Sequence, residues 1–80
     1  MDNKEILKKI NQIFIDVLDD EDIVINEETK ADDIDDWDSL NHIHLVVAIE
    51  KSFKIRFNSE EIQQWNDVGD MIKNMKEKYL

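Results

Sequence analysis

Residues 37–53 read WDSLNHIHLVVAIEKSF. Asp38 stands directly before a run free of Gly and Pro. An aspartate carboxylate accepts the unpaired N–H groups of a first helical turn, so the pattern predicts a helix capped by Asp38 and ending near Phe53. Set Ser39 at zero and advance about 100° per residue. Leu45, Ile49, Phe53 and Val46 then fall between about 240° and 340°, an ordinary buried stripe. Ile43, Val47 and Leu40 fall at about 40°, 80° and 100°. The apolar arc is wider than one core face requires, and Ser39 lies on the seam between its two parts. Either neighbouring elements cover the second part, or it is an exposed docking strip. Single exposed apolar residues are ordinary, so periodicity leaves both open.

Working outward, Ile6, Leu7, Ile10, Ile13, Phe14, Val17 and Leu18 follow the i, i+3, i+4 spacing of a first helix. Asp2 with Glu5 offers a capping box at its start. Lys4, Lys8, Lys9, Asn11 and Gln12 form its expected wet side. From Asp19 to Trp37 the helical period is lost. Long connections in small domains are uncommon and are often functional. Ile23, Ile25 and Ile34 are expected to pin this one to the core. Beyond the central helix, FKIRF (residues 53–57) reads as a short extended link. Asn58 with Glu61 marks a second capping box and a short helix over residues 59–64. Asp67 caps a last helix with Val68, Met71, Ile72, Met75 and Tyr79 on one face. The expected fold is all-α, a small antiparallel four-helix bundle with three main helices and one short one, in a single domain over residues 1–80.

Twenty acidic residues face ten basic ones, for a net charge of -10. A nucleic-acid binder needs a basic face, so that class is excluded. Anionic membrane surfaces are disfavoured for the same reason, and basic protein partners are favoured through electrostatic steering. The amino terminus alternates apolar and charged residues and is no signal peptide, so a cytoplasmic setting is expected. With no Cys the chain has no thiolate chemistry of its own.

Enzyme chemistry finds little support. The acidic segment lacks the alternate ligands, the central Gly and the terminal Glu of a calcium loop. His42 and His44 are two apart, which places them about 200° apart on a helix and unable to share an ion. His44 is expected to face water and His42 to be a half-buried side chain, so no metal site is assigned. Paired carboxylates need a cleft that fixes their separation and shifts their pKa values. Asp38, Ser39 and His42 are sequence neighbours, which is no evidence of a catalytic triad.

Residues 37–53 resemble the centre of an acyl carrier protein: Asp38-Ser39-Leu40 opens a helix, an apolar run follows, then Glu50 and Phe53. The size, the acidic balance, the long first loop, the short helix at NSEEI (58–62) and the DVGDMI (67–72) opening of the last helix extend the resemblance over nearly the whole chain. It implies that Ser39 carries 4'-phosphopantetheine, transferred from coenzyme A by a phosphopantetheinyl transferase. Acyl groups of fatty-acid, polyketide or related biosynthesis would then ride as thioesters on the arm's sulfur, and the protein itself would be a monomeric carrier rather than an enzyme. Asp38 would cap the helix and contribute to the magnesium site of the transferase complex. Leu40, Ile43, Val47 and Glu50 match the family's partner-recognition face, toward acyl-loading and acyl-processing enzymes with basic patches. An aminoacyl or D-alanyl carrier would use the same serine, and an unmodified acidic helical adaptor is the reading from a different class. Three departures stand out: Trp37 where Gly is common, His44 and Lys51 where Glu is common, and Asn58 where Pro is common. They point toward a dedicated carrier in a specialised pathway.

Overall fold

The computed structural model describes residues 2–80. Four α-helices follow in order: α1 (Asn3–Leu18), α2 (Ser39–Phe53), α3 (Ser59–Gln64) and α4 (Val68–Lys78), with a 3-10 turn at Ala31–Asp33. Each α-helix starts where a short polar side chain meets an unpaired backbone N–H. Asp2 accepts from Glu5 N–H at 2.9 Å, and Asp38 from Asn41 N–H at 2.8 Å. Asn58 accepts from Glu61 N–H at 2.8 Å, and Asp67 from Asp70 N–H at 2.8 Å. Each such cap stabilises its helix by about 1 kcal/mol. The two long helices stop in left-handed residues, Asp19 with φ 52° and Lys54 with φ 58°, which close the last turns.

Among the described residues, fifteen buried apolar side chains form one core cluster, and it draws on every main helix. Ile6, Ile10 and Phe14 from α1, Leu45 and Ile49 from α2, and Val68, Met71, Ile72 and Met75 from α4 are all nearly inaccessible to solvent. Removing such a side chain from water contributes roughly 1.5–3 kcal/mol. The expected all-α bundle is therefore the observed fold.

The long connection is tied down by backbone as well as by side chains. Ile23 and Ile25 are buried as expected, and Ile34 packs partly against the core. At the far end, Val68 N–H donates to Thr29 O (2.9 Å) and Gly69 N–H to Glu27 O (2.7 Å). The loop thus supplies carbonyls to the free N–H end of α4. Two features differ from the sequence reading. The connection holds a turn of 3-10 helix, where Asp33 accepts from Lys30 N–H at 2.9 Å. And Asn11, expected on the wet side of α1, is half-buried beneath the loop. Its Oδ1 accepts from Ile25 N–H at 2.7 Å and its Nδ2 donates to Ile23 O at 3.3 Å. A side-chain amide offers both a donor and an acceptor, which suits it to a stretch of loop that has no ladder partner.

Helix α3 is only six residues long, too short to persist alone. Glu61 fastens it. The carboxylate is buried and takes Asn58 N–H at 2.9 Å and the Tyr79 hydroxyl at 2.7 Å on one oxygen. Lys78 meets the other oxygen at 2.7 Å. Lys78, Asn58 N–H and the Tyr79 hydroxyl together hold the Glu61 pKa down to about 2.

Candidate functional site

Ser39 is the first residue of α2 and is exposed. The helix's first closures both use Asp38: His42 N–H donates to its carbonyl and Asn41 N–H to its carboxylate, each at 2.8 Å. The N–H groups of Ser39 and Leu40 remain at the open end of the helix. An anionic group attached to the Ser39 hydroxyl would lie against those donors and the positive end of the helix dipole.

Trp37 shapes the other side of this turn. Its ring is buried in the core, edge-on to Phe14 with centroids 4.9 Å apart. Its Nε1–H donates to Nδ1 of His42 at 3.0 Å, and the two rings lie nearly parallel, 6.0 Å apart. The bond spans the Asp38–Ser39 pair and clamps the end of the loop to the first turn of α2. Burial lowers the His42 pKa from its ordinary value. A neutral His42 that accepts at Nδ1 carries its proton on Nε2. Trp65, just after α3, meets His42 edge-on at 6.3 Å and Phe57 at 4.8 Å.

These rings wall a groove of about 480 Å³ that opens beside the serine. Its lining comprises Ala31, Trp37, Asp38, Ser39, His42, Trp65, Asn66, Asp67 and Met71. Sequence reasoning placed His42 correctly as half-buried and His44 as exposed. It missed the groove, because Trp37 and Trp65 lie outside the helical periods that carried the core reading. One signal was available: a buried indole N–H needs a partner, and His42 is an acceptor side chain one turn further along the helix.

The second apolar strip of α2 is open to solvent. Leu40 is 65% exposed, Ile43 60% and Val47 41%, whereas Leu45, Val46 and Ile49 are buried. The loop does not cover the strip, which leaves three large apolar side chains in line beside Ser39. Glu50 sits at its far end, half-buried, and accepts the Phe57 N–H at 2.7 Å. Its carboxylate therefore also holds the link between α2 and α3. Among the described residues no group of three His or carboxylate side chains could hold a metal ion, and no helix is long and apolar enough to cross a membrane.

No protein-family model matches the sequence. Individual proteins do. The chain is 36% identical over 76 residues to an acyl carrier protein of Caulobacter vibrioides, covering 92% of this chain and 95% of that one. It is 36% identical over 77 residues to an acyl carrier protein of Picosynechococcus, covering 95% and 94%. Among solved structures, the solution structure of a holo acyl carrier protein from Geobacter metallireducens superposes with a TM-score of 0.83 at 43% identity, covering 90% of this chain and 83% of that one. Near-complete coverage at this identity, on the same helical bundle, establishes that the chain belongs to the acyl carrier protein family.

Proposed function

We propose that Ser39 carries a 4'-phosphopantetheine arm and that the protein delivers acyl groups, held on that arm, to separate biosynthetic enzymes. The observation that carries this reading is the exposed Ser39 hydroxyl at the open N-terminus of α2, with the Leu40, Ile43 and Val47 strip beside it. The arm supplies the thiol that a chain without Cys lacks, and acyl groups bind it as thioesters. The remaining work belongs to the protein's own residues. Asp38 caps α2 and keeps the serine in the first turn, and in this reading its other carboxylate oxygen would approach a metal ion brought by a transferase. Leu40, Ile43 and Val47 give a partner an apolar contact, with Glu50 at the edge.

The net charge of -10 steers the carrier toward basic patches on the transferase and on acyl-loading and acyl-processing enzymes. The chemistry of acyl transfer belongs in this reading to the partner enzymes. Residues 1–80 act in this reading as one monomeric carrier domain in the cytoplasm.

The test is mass spectrometry after incubation with coenzyme A and a broad-specificity phosphopantetheinyl transferase. The expected result is one added phosphopantetheine, mapped to Ser39, with Ser39→Ala folded but unlabelled. Label on Ser52 or Ser59, or none at all, overturns the reading.

A further inference from the structure

The charges of this chain are sorted along α2. Residues 19–38, which lead into Ser39, hold eleven acids and one base. Residues 51–56, at the other end of the helix, hold Lys51, Lys54 and Arg56 and no acid. The rise of a helix sets Asp38 and Lys51 about 20 Å apart. Charges in water are screened over about 8 Å at physiological salt. The far end therefore presents its own sign to a partner, whatever the net charge of the whole.

The three cations are open to a partner. All are exposed. The ion pair found among the described residues joins Lys78 to Glu61 and involves none of them. Glu50, the acid nearest in sequence, is turned to Phe57 N–H. Lys51 lies one turn beyond Val47 and so continues the line of the exposed strip. Ile55 and Phe57 turn inward, which leaves Lys54 and Arg56 outward. Lys9 adds a cation from α1, its Nζ 5.3 Å from the centre of the Phe53 ring. The backbone at Lys54 is a separate observation. Its φ of 58° is left-handed, a conformation in which Gly closes helices best. A lysine there keeps a charge where the backbone alone favours Gly.

We propose that Lys51, Lys54 and Arg56 are the far end of a two-ended docking surface, and that the partner is a protein with basic side chains for the start of α2, an apolar hollow for the strip, and carboxylates for these cations. This deepens the partner reading above and rests on it. Opposite signs at the two ends fix which way round a partner lies on α2, and a surface basic along its whole length is repelled at the far end. A second copy, turned antiparallel, would also match the charges. It fits less well. Three apolar side chains fall far short of the ~800 Å² that each side of a stable interface buries, and two copies at net charge -10 repel each other.

A water-soluble carbodiimide joins a lysine amine directly to a carboxylate, and so reads the contact chemistry itself. Applied to the apo chain in an extract of its source cells, it should link one enzyme at both ends. Carboxylates of that enzyme should be joined to Lys51 or Lys54, and its lysines to Asp35, Asp36 or Asp38. With the enzyme purified, Lys54→Gly should raise KM for the carrier several-fold, the change falling on KM rather than kcat, and salt at about 0.5 M should shrink the difference. The melting temperature of Lys54→Gly should not fall, which separates lost docking from lost folding.

Enzymes linked through the acidic end alone, with KM unchanged in Lys54→Gly, overturn the proposal. Links from Lys51 or Lys54 to the acids of a second copy, with a dimer in sedimentation, overturn it in favour of self-association. Loading of Ser39 is read separately by mass. A carrier that is linked at both ends yet takes no phosphopantetheine loses the attachment reading and keeps the two-ended surface.

Discussion

The indole of Trp37 donates to Nδ1 of His42 at 3.0 Å, joining the last residues of the loop to the first turn of α2 across Ser39. One of the bonds that set the serine thereby depends on the protonation of an imidazole, beside the Asn41 Nδ2–H that donates to Asp36 O at 2.7 Å. A protonated His42 carries hydrogen on both nitrogens and cannot accept from Trp37.

That dependence has a definite sign. Burial lowers the His42 pKa in the folded protein below its ordinary value of 6.5. The unfolded chain therefore takes up the proton first as pH falls. His42's contribution to stability is complete above pH 6.5, shrinks as pH drops below that value, and is lost once pH passes the folded pKa. Thermal melts from pH 7.5 downward should show the melting temperature beginning to fall below pH 6.5. His42→Gln should flatten that part of the profile. A His42 titration midpoint at or above 6.5, read by NMR, would refute the expectation.

The two apolar strips of α2 predict different responses to one substitution. Ile49 is wholly buried, so Ile49→Asp forces a carboxylate into the core and leaves a packing defect. The cost is about 3 kcal/mol or more, a large part of the roughly 5 kcal/mol that stabilises a small domain. Val47 is 41% exposed, and Val47→Asp should cost roughly half a kcal/mol or less. Ile49→Asp is expected to lose cooperative unfolding in a circular-dichroism melt. Val47→Asp is expected to keep it yet be a poorer substrate for the transferase, because a partner closing over the strip must desolvate the new charge. Unfolding of Val47→Asp would mean that the strip is core.

Gly69 tests the fastening of the loop to α4. A Cβ there would lie 2.8 Å from Glu27 O, the atom that Gly69 N–H already binds. Alanine gains about 1 kcal/mol in helix propensity, but overpacking costs roughly 1–3 kcal/mol. The neighbour is backbone and cannot turn aside, so the clash wins. Gly69→Ala should melt at a lower temperature than the native protein. A higher melting temperature would show that the loop yields easily at Glu27.

The helices were legible because their determinants are local. Asp38, Asn58 and Asp67 announce their helices within four residues, and the apolar period of α1 points at Ile6, Ile10 and Phe14 without any tertiary knowledge. The place of Ser39 at the start of α2 was legible for the same reason. What escaped was non-local. Asn11 reads as a surface residue on a helical wheel, and only the loop that folds over it gives its amide work. Trp37 reads as part of an acidic loop, and its burial depends on where Phe14 lies. The groove depends on three segments meeting, from the loop, α2 and the link between α3 and α4, and no single period encodes that.

The way α2 is held has a mechanical consequence. Its backbone comes close to that of α1, but among the described residues no Cα of α2 lies within 8 Å of one in α3 or α4. Across that gap the connection is made by side chains, with His42 meeting Trp65 at one end and Glu50 reaching Phe57 N–H at the other. Helix α3, meanwhile, is bolted through Glu61 to the end of α4. Close backbone approach thus joins α1 to α2 and α3 to α4, while side chains alone join α2 to α3 and α4. A wedge entering beside Ser39 would have to part rings rather than break a helix, and the first yield would come along the line where the groove already lies.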